Sequence, residues 1–251
     1  SDLHSCRLVV AEDDQRAKEF YEDYRFYEPD ALLYPAKDLL FYYADIQGNL
    51  LTKQRMRVIR GILERERVTV VTSMEGCMER LRPLAEIKES CLHFTNDSPL
   101  DLEQLIGDLV RLGYERVGQV ESSGQFSVRG GIVDIFSLTE ENPWRIELWG
   151  DEVDSIRSFD AESQRSLENL TEITVYPAAE KYRKEGMVTF MDYFPTEQTL
   201  FVLDEPNRLK EKGGALEEEF ANSMRNREEK GYEDLHEELL CGFSQVCKGF
   251  N

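Results

Sequence analysis

The sequence predicts an α/β protein in which a parallel α/β layer is interrupted by an inserted α+β domain with a mainly antiparallel sheet. Three observations carry this. Short apolar runs alternate with helical stretches near the start, strands and turns fill the middle, and an apolar strand returns near residue 200. A chain of 251 residues is long enough for two ordinary domains with filled cores. The changes of pattern put the first part of the α/β domain at 1–89, the insertion at 90–178, and the return to the α/β domain with an acidic helical tail at 179–251.

Arg7-Leu8-Val9-Val10-Ala11 reads as a buried strand, followed by a helix from Asp14 to Tyr24 that Asp13 or Asp14 caps. Ala31 to Pro35 is a second strand, Leu50 to Arg65 a helix, Val68 to Thr72 a third strand, and Met74 to Leu81 another helix. Beyond Ser90 the pattern changes. A helix from Leu102 to Leu112 starts near Asp97-Ser98-Pro99 and ends at Gly113, and strands and turns then run to Ile173-Thr174-Val175-Tyr176-Pro177. Thr199 to Glu205 restores the α/β pattern. Residues 211–240 form a Glu-rich helical stretch with Leu216, Phe220, Met224, Leu235 and Leu239 at loosely helical spacing, read as a solvated helix face.

Charge excludes some functions. Fifty acidic against thirty basic residues give a net charge of -20, which rules against broad adhesion to nucleic acid or anionic lipid. Cys6, Cys77, Cys91, Cys241 and Cys247 lack the short paired spacing of a zinc site or disulfide framework, and suit a reducing cytosol. His4, His93 and His236 are isolated and receive no catalytic or metal role. No apolar run approaches the roughly 20 residues a membrane span needs, and no signal-peptide core opens the chain. The expected compartment is the cytoplasm, with no membrane partner.

The stretch from Gly124 to Asp160 holds the candidate site. In Trp144-Arg145-Ile146-Glu147-Leu148-Trp149, the strand period of two puts Trp144, Ile146 and Leu148 on a core face and Arg145, Glu147 and Trp149 on the other. Arg145 and Trp149 then lie about 13 Å apart, four residues at roughly 3.3 Å each. Gly130-Gly131 interrupts the strand after Arg129, suggesting a bulge or close backbone approach, and Trp149-Gly150-Asp151-Glu152 reads as a hairpin turn. The expectation is a sheet that turns Arg129, Arg145 and Trp149 toward water as a protein-binding face, since exposed Arg and Trp are enriched at hot spots. Each arginine could instead be a surface salt-bridge residue, and Trp149 could pack beneath a helix.

Phe201-Val202-Leu203-Asp204-Glu205 is an apolar strand ending in two carboxylates, a pattern that nucleotide hydrolases use around magnesium. No Gly-rich loop ending in Lys-Ser or Lys-Thr accompanies it. Asp204 and Glu205 are therefore read as remnants in a fold without nucleotide chemistry. No nucleophile elbow or zinc-binding helix occurs either.

Several blocks recur in a known order: Tyr34-Pro35-Ala36-Lys37-Asp38, Gln54-Arg55, Val70-Val71-Thr72-Ser73, Gly113-Tyr114-Glu115-Arg116-Val117, Gly124 to Asp160, Ser163-Gln164-Arg165-Ser166, Tyr176-Pro177-Ala178, Asp192-Tyr193-Phe194-Pro195 and Leu203-Asp204-Glu205-Pro206. With these the chain resembles the UvrB-like N-terminal region of bacterial transcription-repair coupling factors. The resemblance implies a degenerate P-loop-like domain interrupted by a UvrA-binding domain. It also implies UvrA contacts at Arg129, Arg145 and Trp149, where the family's aromatic is often Phe. The family's own C-terminal domain is expected to mask this face, while other domains carry the ATP- and magnesium-dependent DNA translocase and contact RNA polymerase and DNA. For this fragment the expectation is a non-catalytic recruitment module without cofactor. The alternatives are a UvrB-type ATP-dependent DNA damage loading protein, and an acidic decoy acting through the Glu-rich tail.

Overall fold

A computed structural model describes residues 5–37, 48–180, 185–231 and 239–249. In chain order the first elements are β1 (Cys6–Ala11), α1 (Asp14–Tyr24), β2 (Leu32–Tyr34), α2 (Gly48–Glu64), β3 (Val68–Ser73), α3 (Met74–Met78) and β4 (Arg80–Leu81). Next come α4 (Leu84–Ser90), β5 (Leu92–Thr95), α5 (Leu102–Arg111), β6 (Glu115–Arg116), β7 (Gln125–Arg129), β8 (Ile132–Phe136), β9 (Trp144–Trp149) and β10 (Glu152–Phe159). The last are β11 (Ser166–Leu170), β12 (Glu172–Val175), β13 (Val188–Thr189), β14 (Thr199–Leu203), α6 (Pro206–Glu229) and α7 (Phe243–Lys248). The chain divides into two compact units, Ser1–Leu84 with Lys181–Asn251, and Ala85–Glu180.

The first unit is built on a parallel sheet in the order β14-β1-β3-β2. Its central strand β3 is buried along its whole length, which explains why Val68 to Ser73 holds only valines and small hydroxyl residues and no charge on either face. Asp13 caps α1 by accepting from the amide of Arg16 at 2.8 Å. Two expected boundaries change. The helix at Met74 stops at Met78, because Arg80–Leu81 pairs antiparallel with Val188–Thr189. The Glu-rich helix begins at Pro206, where a first-turn position needs no amide donor and the fixed φ of proline suits the helix. It ends at Glu229 among the described residues. Leu235, His4 and His236 lie outside them.

The second unit holds a six-stranded sheet in the order β11-β10-β9-β8-β7-β6, antiparallel except for the short β6 and β7 pair. A separate antiparallel pair joins β5 to β12. Parallel and antiparallel sheets with helices thus coexist in the chain, which makes it an α/β protein. Phe126, Val133, Ile135, Trp144, Ile146, Val153 and Ile156 are buried, as are Leu105 and Leu109 of α5. Asp101 caps α5 through the Gln104 amide at 3.0 Å, and Gly113 takes a φ of 93° just past its end. A side chain there would also meet Ala179 Cβ at 2.5 Å.

Gly130-Gly131 corrects the sequence reading. The pair lies at a hairpin tip, with Arg129 opposite Ile132 and Gly130 at a φ of 60°. The expected close approach is present as well, since the Gly131 carbonyl accepts from the Leu148 amide of β9 at 2.8 Å. Gly150-Asp151 forms the second tip, with Glu152 opposite Trp149 and Gly150 at a φ of 64°. Because β7 and β9 run the same way, Arg129 and Trp149 reach the same end of the sheet.

Candidate protein-docking site

Register places the site's charged residues on one face. Asp134 stands opposite Ser127 on β7 and Arg145 on β9, while Arg145 also stands opposite Arg157 on β10. Glu147 and Trp149 follow Arg145 at the strand period, and Arg129 follows Ser127. One end of this face is covered by a cluster of Val120, Phe136 and Phe159. Trp149, at the other end, is 82% exposed, and no helix among the described residues covers it.

Asp134 organises the arginines. Its side chain is fully buried, and both oxygens accept from guanidinium groups. Arg145 donates through Nε to Oδ1 at 2.7 Å and through Nη2 to Oδ2 at 2.8 Å. Arg129 donates through Nη2 to the same Oδ2 at 2.7 Å. The bidentate geometry suits a planar guanidinium, and it raises the Arg145 pKa above its ordinary value through the hydrogen bonds Arg145 donates to Asp134, against the opposing effect of burial.

The two arginines differ in freedom. The Arg145 side chain is 14% exposed, whereas that of Arg129 is 46% exposed. Arg145 also donates to Gln164 Oε1 at 3.0 Å, and its guanidinium carbon lies 4.3 Å from the Phe159 ring centroid. Gln164 holds a φ of 60°, uncommon for a residue with a side chain. Its place is fixed by donation to the Ala161 carbonyl at 2.7 Å and to the Asp160 carbonyl at 2.8 Å. Asp160 in turn accepts from the hydroxyl and amide of Ser163, which hold its pKa below the ordinary carboxylate value. Beside these residues, Arg157 and Glu147 form an ion pair, and Ser155 donates to Glu147 at 3.3 Å.

The expected face is therefore modified at Arg145. The structure brings Arg129 and Arg145 to one carboxylate and places Trp149 on the same face, but Arg145 is largely withdrawn from water into an ion pair. Sequence reading missed Asp134 and Gln164. The signal for Asp134 was present: a carboxylate inside Ile132-Val133-Asp134-Ile135-Phe136, at the parity of Arg145, demands a buried counter-charge.

Asp204 and Glu205 lie in the other unit, at the end of β14. They line a groove of about 250 Å³ with Glu12, Asp13, Gln15, Arg16, Glu19 and Arg208. Arg16 Nε donates to Asp204 at 2.8 Å, and Arg208 Nε pairs with Glu205 at 2.8 Å. Both carboxylates are thus matched by guanidinium groups. Among the described residues, no group of three or more His, Cys, Asp or Glu side chains could hold a metal ion, and no helix is long and apolar enough to cross a membrane. Burial pushes the Cys241 thiol up to about 12 and raises that of Cys77 further, so both stay protonated at neutral pH.

Residues 92–181, which contain the whole arginine and tryptophan face, match the family described as UvrB interaction domain. The proteins this chain resembles are transcription-repair coupling factors, as the sequence blocks imply. It is 42% identical to the Bacillus subtilis factor over 149 residues, covering 59% of this chain and 13% of that protein. Identity to a Staphylococcus aureus factor is 32% over 158 residues, or 63% of this chain and 13% of that protein. With a Staphylococcus epidermidis factor it is 29% over 234 residues, or 92% of this chain and 19% of that protein. The chain therefore spans less than a fifth of the length of these relatives.

Proposed function

We propose that this chain is the recruitment module of a transcription-repair coupling factor, docking UvrA through the face built by Arg129, Arg145 and Trp149 and so linking removal of stalled RNA polymerase to nucleotide excision repair. The observation that carries the reading is Trp149: a large indole, 82% exposed at a hairpin tip on the same end of the sheet as Arg129, inside the segment that matches the UvrB interaction domain. The Trp supplies apolar area, and the guanidinium groups select an acidic surface.

The module itself is non-catalytic and uses no cofactor. Supporting this, Asp204 and Glu205 are paired with Arg16 and Arg208, in a first unit read as a degenerate P-loop-like domain. The parent protein works in the cytoplasm, contacts RNA polymerase and DNA through other domains, carries an ATP-dependent translocase elsewhere, and masks the docking face with its own C-terminal domain.

Titration against purified UvrA tests the proposal. Trp149→Ala should weaken binding by about thirtyfold, the scale of a 2 kcal/mol hot spot. Because the indole is exposed, the thermal midpoint should stay within a degree or so of wild type. Unchanged affinity in the folded variant would remove the proposal.

A further inference from the structure

Resting on that reading, we infer that UvrA is recognised by counter-ion exchange at Asp134: Arg129 leaves this buried carboxylate for an acidic group on the partner, while Arg145 stays behind and keeps Asp134 satisfied. Arg145 is then a positioning residue, and Arg129 the contact.

Asymmetry of attachment supports the exchange. Arg129 is half-exposed and holds Asp134 through one nitrogen on one oxygen. Arg145 grips both oxygens, binds Gln164, and lies over Phe159. Removing the last counter-ion from a buried carboxylate is costly, but removing one of two is not when the remaining one is bidentate. Arg145 thereby makes Arg129 releasable.

Ser127 provides an independent observation. Its Oγ is buried on β7, directly opposite Asp134, and makes no hydrogen bond in the structure. Directly opposed residues on one face bring Cβ atoms to about 5 Å, within reach for a hydroxyl and a carboxylate. An orphaned buried donor is costly to keep. In the exchange the hydroxyl turns to donate to Asp134 once Arg129 departs, so its cost in the free protein is recovered in the complex.

The exchange has a consequence that direct contact by Arg145 does not share. Arg145→Met keeps a flexible apolar chain over Phe159 but leaves Arg129 as the sole arginine on Asp134, locking it in place. UvrA affinity should fall by about tenfold or more. Adding Asp134→Asn to that variant removes the lock and should restore affinity to within about threefold of wild type. A double variant no tighter than Arg145→Met overturns the exchange.

Ser127→Ala tests it without disturbing the ion pairs. The thermal midpoint should be equal to or above wild type, since an unpartnered buried hydroxyl is lost, while UvrA affinity drops by about fivefold. Unchanged affinity counts against the exchange, whether or not the Arg145 variant folds. Failure of the wild-type chain to bind UvrA would instead overturn the docking function itself, so the two failures are distinguishable.

Discussion

At the scale of single residues, buried charge organises both units. Arg55 and Glu79 are fully buried in the first unit and joined by bonds of 3.1 and 2.5 Å. Glu79 also accepts from the Lys37 amide at 2.5 Å, and Arg55 donates to the Pro35 carbonyl at 2.8 Å. The Arg55 guanidinium lies 4.4 Å from the ring centroid of Tyr34, which stacks on Phe190 at 4.1 Å. This cluster ties the end of β2 to α2 and to the segment after α3. Glu79→Gln removes the counter-charge and should cost about 3–5 kcal/mol, read as a lowered urea midpoint. Arg55→Met in the same chain should recover most of that loss, because a neutral apolar pair has no desolvation cost to offset. A loss below about 1 kcal/mol for Glu79→Gln would show that the buried charge is compensated elsewhere. Arg55 sat within a recognisable sequence block, but its burial was not legible: helical periodicity assigns a face, not the depth of the neighbours on it.

At the scale of elements, glycine pairs show what sequence could and could not supply. The hairpin at Gly150-Asp151 was legible because a two-residue turn with a glycine stands between alternating strands on both sides. At Gly130-Gly131 a bulge and a turn both use positive φ, and only the register of Arg129 with Ile132 decides between them. The parallel strands were read within a residue or two, since short apolar runs between turns mark strands even where, as at Leu200 and Val202 of β14, one face is exposed. Pattern showed that Asp134 needs a counter-charge, but that Arg145 supplies it was not legible, because it depends on which side chain β8 places opposite. Gly213 and Gly214 on α6 extend the lesson. A Cβ on Gly213 would lie 2.3 Å from the Phe243 ring of α7, whereas one on Gly214 meets nothing within 4 Å. Gly214→Ala should raise stability by about 0.5–1 kcal/mol through helix propensity. Gly213→Ala should lower it by about 1–3 kcal/mol, because the ring has to move. Thermal unfolding of the two variants checks the opposite signs, and equal shifts would mean that α7 does not pack where the structure has it.

At the scale of the whole molecule, the net charge of -20 competes with the local pairing. The docking face gathers two guanidinium groups around one carboxylate, a positive island on an acidic chain, so its reach is short. Elsewhere, exposed pairs such as Arg16 with Glu19, Lys18 with Glu22 and Arg60 with Glu64 contribute little, because water screens them and salt weakens them further. Repulsion among the unmatched carboxylates acts over longer distances and opposes compaction. Raising ionic strength from 0.01 M to 0.15 M shortens the screening length from about 30 Å to about 8 Å, which removes the long-range repulsion before the contacts at ion-pair distance. Buried pairs such as Arg55 with Glu79 and Arg145 with Asp134 are screened least. The thermal midpoint should therefore rise across this range, measured by calorimetry at constant pH with sodium chloride. A falling midpoint would mean that exposed ion pairs outweigh self-repulsion, and that the acidic surface is held together by its few cations instead of being strained by its excess of anions.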